Sequence, residues 1–298
     1  MDQTPPPARR TGASKQAAPP PPPTLPEVPL GRRQPQVEAL AAFTAQTQIH
    51  GSRKDLSGKS KVIFFTGRGR TGKTTLVRYF AERLSITNSK FSVLDGDKTN
   101  PVLDQYFDAE RPDSFDDASM AAWIAGNALA CVGNGAHLIV DLGGGDTSLA
   151  QLVQVLPNLV AELETGGGAV VVCCTLGTAP EDLSPLSNLY TLGFRPTATA
   201  LLFSQAALTT PLTEASFTAI QAHSFYKRLL DEQGAVPILV PALSVAAGVE
   251  ARRLNFQHAC DGATPPGGFP LGLYERFVVR DWMVKMEKAF APVASWFR

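Results

Sequence analysis

Four cysteines and four histidines are all that the 298 residues offer to a transition metal. Cys131, Cys173, Cys174 and Cys260 lack metal-ligand spacing, and His50, His137, His223 and His258 are scattered with no H-E-x-x-H array, so no zinc centre is read from the sequence. Cys173 and Cys174 fall inside the apolar run "AVVVCCTL", which marks them as buried thiols and points to a reducing compartment. No G-x-S-x-G elbow occurs, which leaves covalent hydrolase chemistry without support. Neither an apolar leader nor a run of about 20 apolar residues is present, and a soluble, cytoplasmic protein is expected. Charge of one sign is also missing: Lys and Arg total 27, Asp and Glu total 27, so any basic surface for nucleic acid must be local.

Charge is nevertheless uneven. Residues 1–61 carry nine basic and four acidic side chains, which leaves eighteen basic against twenty-three acidic on the remainder. The same stretch holds "TPPPARR" and "AAPPPPPTLPEVPLGRR", where proline removes backbone donors and favours polyproline II over a packed fold. Residues 1–57 are therefore expected to form a disordered, proline-rich basic arm, with a short helix near 36–49 in "PQVEALAAFTAQTQIH". Three readings of the arm stay open: a solvated tether, a phosphate-binding segment, or a polyproline ligand for a partner.

From residue 58 to 298 short apolar runs alternate with helical stretches. The runs are "KVIFFTG", "FSVLDGD", "HLIVDLGGG", "GAVVVCCTL", "ATALLFS" and "VPILVPA". Helices are expected at "KTTLVRYFAERL", "DDASMAAWIAGNALACV" and around 147–164, 181–191 and 214–233. The alternation predicts an α/β, doubly wound, mainly parallel sheet with helices on both faces, because each parallel crossover needs a connecting segment.

Between the first run and the first helix lies Gly67-Arg68-Gly69-Arg70-Thr71-Gly72-Lys73-Thr74, with the spacing G-x-x-x-x-G-K-[ST]. Its glycines let backbone N–H groups face phosphate oxygens, the helix that follows directs its positive end at them, Lys73 adds an ammonium and Thr74 a hydroxyl for magnesium. "HLIVD" ends at Asp141, which would emerge at the same sheet edge as a magnesium ligand, with Gly143 and Gly144 allowing close approach to a terminal phosphate. "LDGDKTN" sets Asp95 and Asp97 one residue apart. On a strand end they would share a side and serve water and magnesium; as Asp-Gly-Asp-Lys they are equally good turn chemistry.

"GRGRTGKTT" resembles the deviant phosphate loop of the ParA/MinD family of P-loop ATPases, G-K-G-G-x-G-K-T-[ST]. "LDGDKTN" and "HLIVDLGGG" are similar to that family's D-x-D and D-x-[PG]-[PG] segments, in the same order over roughly residues 60–150. The resemblance implies a magnesium-dependent ATPase, slow and partner-stimulated, whose ATP-bound homodimer positions or transfers DNA or a protein cargo in plasmid partition, stability or conjugation. It places Gly67 to Thr75 and Gly144 around ATP, Lys73 on the phosphates, Thr74, Asp97 and Asp141 with Mg2+, and Asp97 also at the attacking water. Nonspecific DNA contact by the folded dimer is a further implication. Arg68 falls on the signature-lysine position that in the family reaches the partner's phosphates; an arginine there is either a trans finger or a solvated side chain. Arg70 falls on a glycine, where its side chain must point away from phosphate, and it has no assigned role.

No N-K-x-D occurs for guanine, and the late position that often carries asparagine in the family is Ser204-Gln205, so ATP is expected through resemblance alone. Two other functions remain open: a nucleotide-gated scaffold with little hydrolysis, and a small-molecule P-loop kinase. In "LYERFVVRDWMVKMEKAFAPVASWFR" Tyr274, Phe277, Val278, Trp282, Met286, Ala289, Phe290, Val293 and Phe297 recur at helical spacing. The stripe is expected to pack on the sheet, with interfacial membrane contact as the alternative and Pro292 ending the helix.

Overall fold

The computed structural model describes residues 34–51 and 54–298. The six apolar runs are strands: β1 (Ser60–Gly67), β2 (Phe91–Gly96), β4 (His137–Leu142), β5 (Gly168–Leu176), β6 (Ala198–Ser204) and β7 (Val236–Val240), joined by a two-residue edge strand, β3 (Ala109–Glu110), that no apolar run announces. All pair in parallel in the order β3-β2-β4-β1-β5-β6-β7. Because helices cover both faces, every residue of β1, β5 and β6 is buried, which is why these strands read as continuous apolar runs rather than alternating ones.

On one face lie α3 (Asp117–Gly133), α4 (Ser148–Val155), α5 (Leu159–Thr165), α6 (Ser184–Thr191), α7 (Thr218–Ala222) and α8 (Ser224–Asp231), around Met120, Ile124, Leu163 and Phe217. The other face carries α2 (Lys73–Ile86), α9 (Ala246–Ala251), α10 (Phe256–Asp261) and α11 (Leu273–Phe290), around Leu76, Phe80, Phe256 and Met286. Two expected helices are broken. The stretch 147–164 divides between α4 and α5 next to Pro157, which has no N–H to continue the ladder. The stretch 214–233 divides at His223, whose backbone is extended and whose Nδ1 accepts from Phe225 N at 3.2 Å, so it caps α8.

The helix expected near 36–49 is α1 (Gln34–Gly51), and it is packed. Ala39, Phe43 and Thr47, at four-residue spacing, are buried. Phe43 meets Phe203 and Phe217 edge-on at 5.1 and 5.7 Å, and Thr47 Oγ1 donates to Pro237 O in β7. The folded body thus takes in α1, ahead of the boundary expected at 58. Residues 1–33 of the arm lie outside the described residues.

In α11 the inward face is Val279, Trp282, Met286 and Phe290, continued by Val293 and Phe297. Tyr274 and Phe277, expected in that stripe, point outward and are exposed. The helix gives way at Ala291–Trp296 to a 3-10 segment containing Pro292, as expected. Among the described residues no helix is long and apolar enough to cross a membrane.

Candidate functional site

The phosphate loop leaves β1 at Gly67, where φ of 127° favours glycine and a Cβ would lie 2.4 Å from Thr175 O and 2.5 Å from Thr175 Oγ1. Gly72 caps α2 with φ 89° and supplies no side-chain acceptor, so the first N–H groups of α2 are not claimed by a capping side chain. Both glycines are where the sequence requires them. Between them Arg68, Gly69 and Arg70 are exposed, and Thr71 is buried. Thr71 Oγ1 donates to Arg68 O at 2.7 Å and lies 2.6 Å from Thr175 Oγ1, which reaches Thr66 O at 3.1 Å. A pair of hydroxyls therefore ties the loop to β5.

Lys73 is folded back over the loop, its Nζ donating to Gly67 O and Arg68 O, each at 3.1 Å. Burial lowers its pKa, and the charges of Asp141 and Asp97 oppose that shift. In α2's first turn Thr75 is half-buried, while Thr74 Oγ1 donates to Asp141 Oδ2 at 2.8 Å. Asp141 is almost fully buried, and burial pushes its pKa up to about 7 against the pull of Thr74 and Lys73. Its other oxygen, Oδ1, has no hydrogen-bond partner.

Asp95 and Asp141 are register partners on adjacent strands. Asp95, however, is spent on its own loop: Oδ2 accepts from Val102 N and Leu103 N at 3.0 and 3.1 Å. Asp97 forms the turn, its Oδ1 accepting from Thr99 N and Asn100 N at 2.8 and 3.0 Å, and a Cβ on Gly143 would come within 3.4 Å of that oxygen. The pair thus divides, Asp95 buried and structural, Asp97 half-buried against the loop after β4. That loop also presses on the phosphate loop: a Cβ at Gly144 would lie 2.7 Å from Gly69 N.

Arg70 has φ 65°, a left-handed conformation usually left to glycine. Arg68 reaches sideways, with its guanidinium 3.8 Å from Asp182 Oδ1; its side chain is 70% exposed and that of Asp182 only 2%. Asp182 Oδ2 accepts from Gly177 N at 2.7 Å, and Oδ1 has no hydrogen bond. Neither Thr175 nor Asp182 was anticipated. The signals for them are slight: one hydroxyl inside an apolar run, and an acid just after Pro180 in the turn that follows β5.

Among the described residues no group of three or more His, Cys, Asp and Glu could hold a metal by itself. Thr74 with Asp141 fits a hard cation that takes its remaining oxygens from phosphate and water. The orphaned, buried Asp141 Oδ1 is the observation that supports this, since a carboxylate oxygen with no donor is costly unless a cation or water serves it.

No protein-family model matches the chain, and no curated protein matches it. Among solved structures it is similar to the signal recognition particle receptor FtsY from Elizabethkingia anophelis in complex with GDP, at 13% identity and a TM-score of 0.41, over 67% of this chain and 64% of that one. It is similar to chloroplast FtsY from Physcomitrella patens at 12% identity and a TM-score of 0.41, over 70% and 66%. FlhF complexed with GMPPNP and Mg2+ gives 11% and 0.39, over 86% and 94%. The chain spans just under two thirds of the length of the two FtsY structures. The chain's own parallel sheet, with a phosphate loop between β1 and α2 and a carboxylate ending the neighbouring β4, is that of a nucleotide-binding P-loop NTPase fold.

Proposed function

We propose that this protein is a magnesium-dependent ATPase of the ParA/MinD type, whose nucleotide-bound dimer positions or transfers DNA or a protein cargo, as in plasmid partition, stability or conjugation. The observation that carries the nucleotide part is buried Asp141, bonded to Thr74 with one oxygen unmet, directly beside a loop whose lysine is occupied only by backbone carbonyls. The ParA/MinD part rests on the motif order and on Arg68 at the signature position.

Lys73 exchanges two neutral carbonyls for anionic phosphate oxygens, so that both partners of the contact are charged. The N–H groups of the loop and of α2 fix the phosphate chain in place. Thr74 and Asp141 would hold Mg2+, which when bound offsets charge on the transferred phosphoryl group. Asp97 orients the attacking water through the oxygen not committed to the Thr99 and Asn100 turn. Arg68, itself 70% exposed and only 3.8 Å from Asp182 Oδ1 without a hydrogen bond to it, has the freedom to swing outward. It then reaches the phosphates of a second copy.

Light scattering of the purified chain with ATP, with GTP, with ADP and without nucleotide tests the reading. Dimers with ATP and Mg2+ only, lost in Arg68→Ala while monomer nucleotide binding persists, are the expected result. A monomer under all four conditions sinks the sandwich, and dimers with GTP alone sink the choice of base. Stoichiometric phosphorylation of a metabolite would favour a kinase, and binding without turnover even with DNA or a partner added would favour a scaffold.

A further inference from the structure

Three arginines and four large apolar side chains come together where α9 and α10 meet the start of α11. Tyr274 is 76% and Phe277 56% exposed, one turn apart, flanked by Leu273 at 66% and Phe269 at 84%. Arg280 lies over the Phe277 ring at 5.9 Å. Arg252 Nε donates to Phe269 O at 3.1 Å and its Nη1 to Gly248 O at 2.9 Å. Arg276 reaches the end of α10, giving Nε to Cys260 O at 3.4 Å and Nη2 to Asp261 O at 3.2 Å, and Arg280 Nη2 joins it on Cys260 O at 3.3 Å. Gly262 leaves room for this: a Cβ there would lie 2.5 Å from Arg276 Cζ.

Main-chain carbonyls are thus the hydrogen-bond partners of these arginines, and among the described residues none of the three forms an ion pair. The acids nearby are engaged elsewhere. Glu250 lies 3.8 Å from Arg78, Asp261 accepts from Gln257 Nε2 at 3.2 and 3.0 Å, Glu275 Oε2 accepts from Gly272 N at 2.9 Å, and Asp281 pairs with Lys285 at 2.6 Å. A guanidinium carries five N–H donors in one plane, and the carbonyls take only one or two of them. Each arginine therefore keeps free donors and an uncompensated charge, in a plane that is already set before any ligand arrives.

Exposed rings and an aliphatic side chain beside fixed guanidiniums are the composition of the centre of a protein interface, where aromatic residues and Arg are enriched. The charge requires an acidic partner. Pairing of this face with itself on a second copy would set arginines against arginines, a like-charge contact. A polyphosphate backbone or an anionic lipid surface would meet Asp261 and Asp281 beside the same arginines, and the chain, with 27 basic and 27 acidic residues, has no net positive charge to offset them. A peptide avoids them, because its carboxylates are discrete. Arg276 and Arg280 stand one turn apart, about 6 Å along α11, which is the spacing of acidic residues four apart on a partner helix. We infer that this face binds an acidic, amphipathic segment of another protein, which lays apolar side chains on Leu273, Tyr274 and Phe277 and carboxylates on Arg276 and Arg280. The inference stands apart from the nucleotide reading, since no residue of the phosphate loop takes part.

The test pans a phage-displayed library of random peptides on the full chain and measures the most enriched peptide by fluorescence anisotropy. Sequences of net negative charge with interspersed apolar residues are expected, and their affinity should fall at least about tenfold with Phe277→Ser, and likewise with Arg276→Gln and Arg280→Gln combined. Glutamine keeps a donor for the Cys260 carbonyl, and an unchanged thermal midpoint shows that the variants fold; if the arginine pair does not, Phe277→Ser, at an exposed ring, decides alone. Enriched peptides that are neutral or basic, or that bind these variants as well as the wild type, overturn the proposal, as does a library from which nothing is enriched. Binding of oligothymidylate that Phe277→Ser abolishes overturns it in favour of nucleic acid. A dimer that Phe277→Ser converts to monomer overturns it in favour of a second copy.

Discussion

Replacing Asp141 by asparagine should remove a pH-dependent cost from the nucleotide-free fold while ending its response to magnesium. Burial holds the Asp141 carboxyl at about 7 instead of 3.8. At about 1.4 kcal/mol per tenfold change in proton affinity, the charged form costs the fold about 4 kcal/mol. The folded-state pKa is the raised one, so this cost is absent below pH 3.8, grows as pH rises and is complete above about 7. Roughly 1.5 kcal/mol of it operates at pH 5 and about 4 kcal/mol at pH 8. Asparagine keeps an acceptor for Thr74 but sets an amide donor where Oδ1 had no partner, a pH-independent penalty of about 1–3 kcal/mol. The sign of the difference at a single pH is thus uninformative, and its change with pH is decisive. Urea unfolding of both proteins, free of nucleotide and magnesium, should show the variant gaining about 2–3 kcal/mol on the wild type between pH 5 and pH 8. Added ATP and Mg2+ should then raise the midpoint of the wild type more than that of the variant. A gap between the two proteins that is the same at both pH values would refute the idea that Asp141 is a buried charge awaiting a cation.

Gly144→Ala drives a methyl into the Gly69 backbone, and nucleotide affinity measured by calorimetry should fall at least about tenfold with a loss of about 1–3 kcal/mol in stability; unchanged affinity would mean that the two loops part freely. Thr175→Val removes the hydroxyl that binds Thr71 and should cost about 1–2 kcal/mol in thermal unfolding, whereas Thr175→Ser should restore most of it. Arg70→Gly relieves a left-handed side-chain-bearing residue and should stabilise the chain by up to about 1 kcal/mol, despite the added freedom of the unfolded state. In α11, Met286→Ala should cost about 2–5 kcal/mol and Tyr274→Ser less than about 0.5, because only the first is buried; equal losses would place the wrong face inward.

What could be read in advance was whatever chemistry ties to a residue type at a fixed spacing. Gly67, Gly72, Lys73 and Thr74 are such residues, and Asp141 shows itself by ending an apolar run. Thr175 and Asp182 act on the loop only through the sheet, since β5 is the register partner of β1 and brings Thr175 opposite Gly67. No local pattern encodes that approach. The same limit applies in α11, where apolar residues occupy both sides of the helix. Periodicity located the helix, but Tyr274 and Phe277 were assigned inward because nothing local separates them from Trp282 and Met286. Helices α9 and α10, six residues each, are too short for a period to register. Asp97 makes the turn that was one of its two readings, and it lies against the loop that follows β4.

Helix α1 comes before β1 in the chain yet lies along β7, the last strand to be made, through contacts such as Thr47 with Pro237, separated by 190 residues. As the chain leaves the ribosome, α1 therefore waits through the synthesis of the whole sheet before it has a surface to cover. When it arrives it shields an edge whose N–H and C=O groups would otherwise invite a foreign strand, while the opposite edge is protected by being only two residues long. Helix α1 and strand β7 are thereby locked to one another, and a copy truncated before β7 would keep its phosphate loop but expose both α1 and an unfinished sheet.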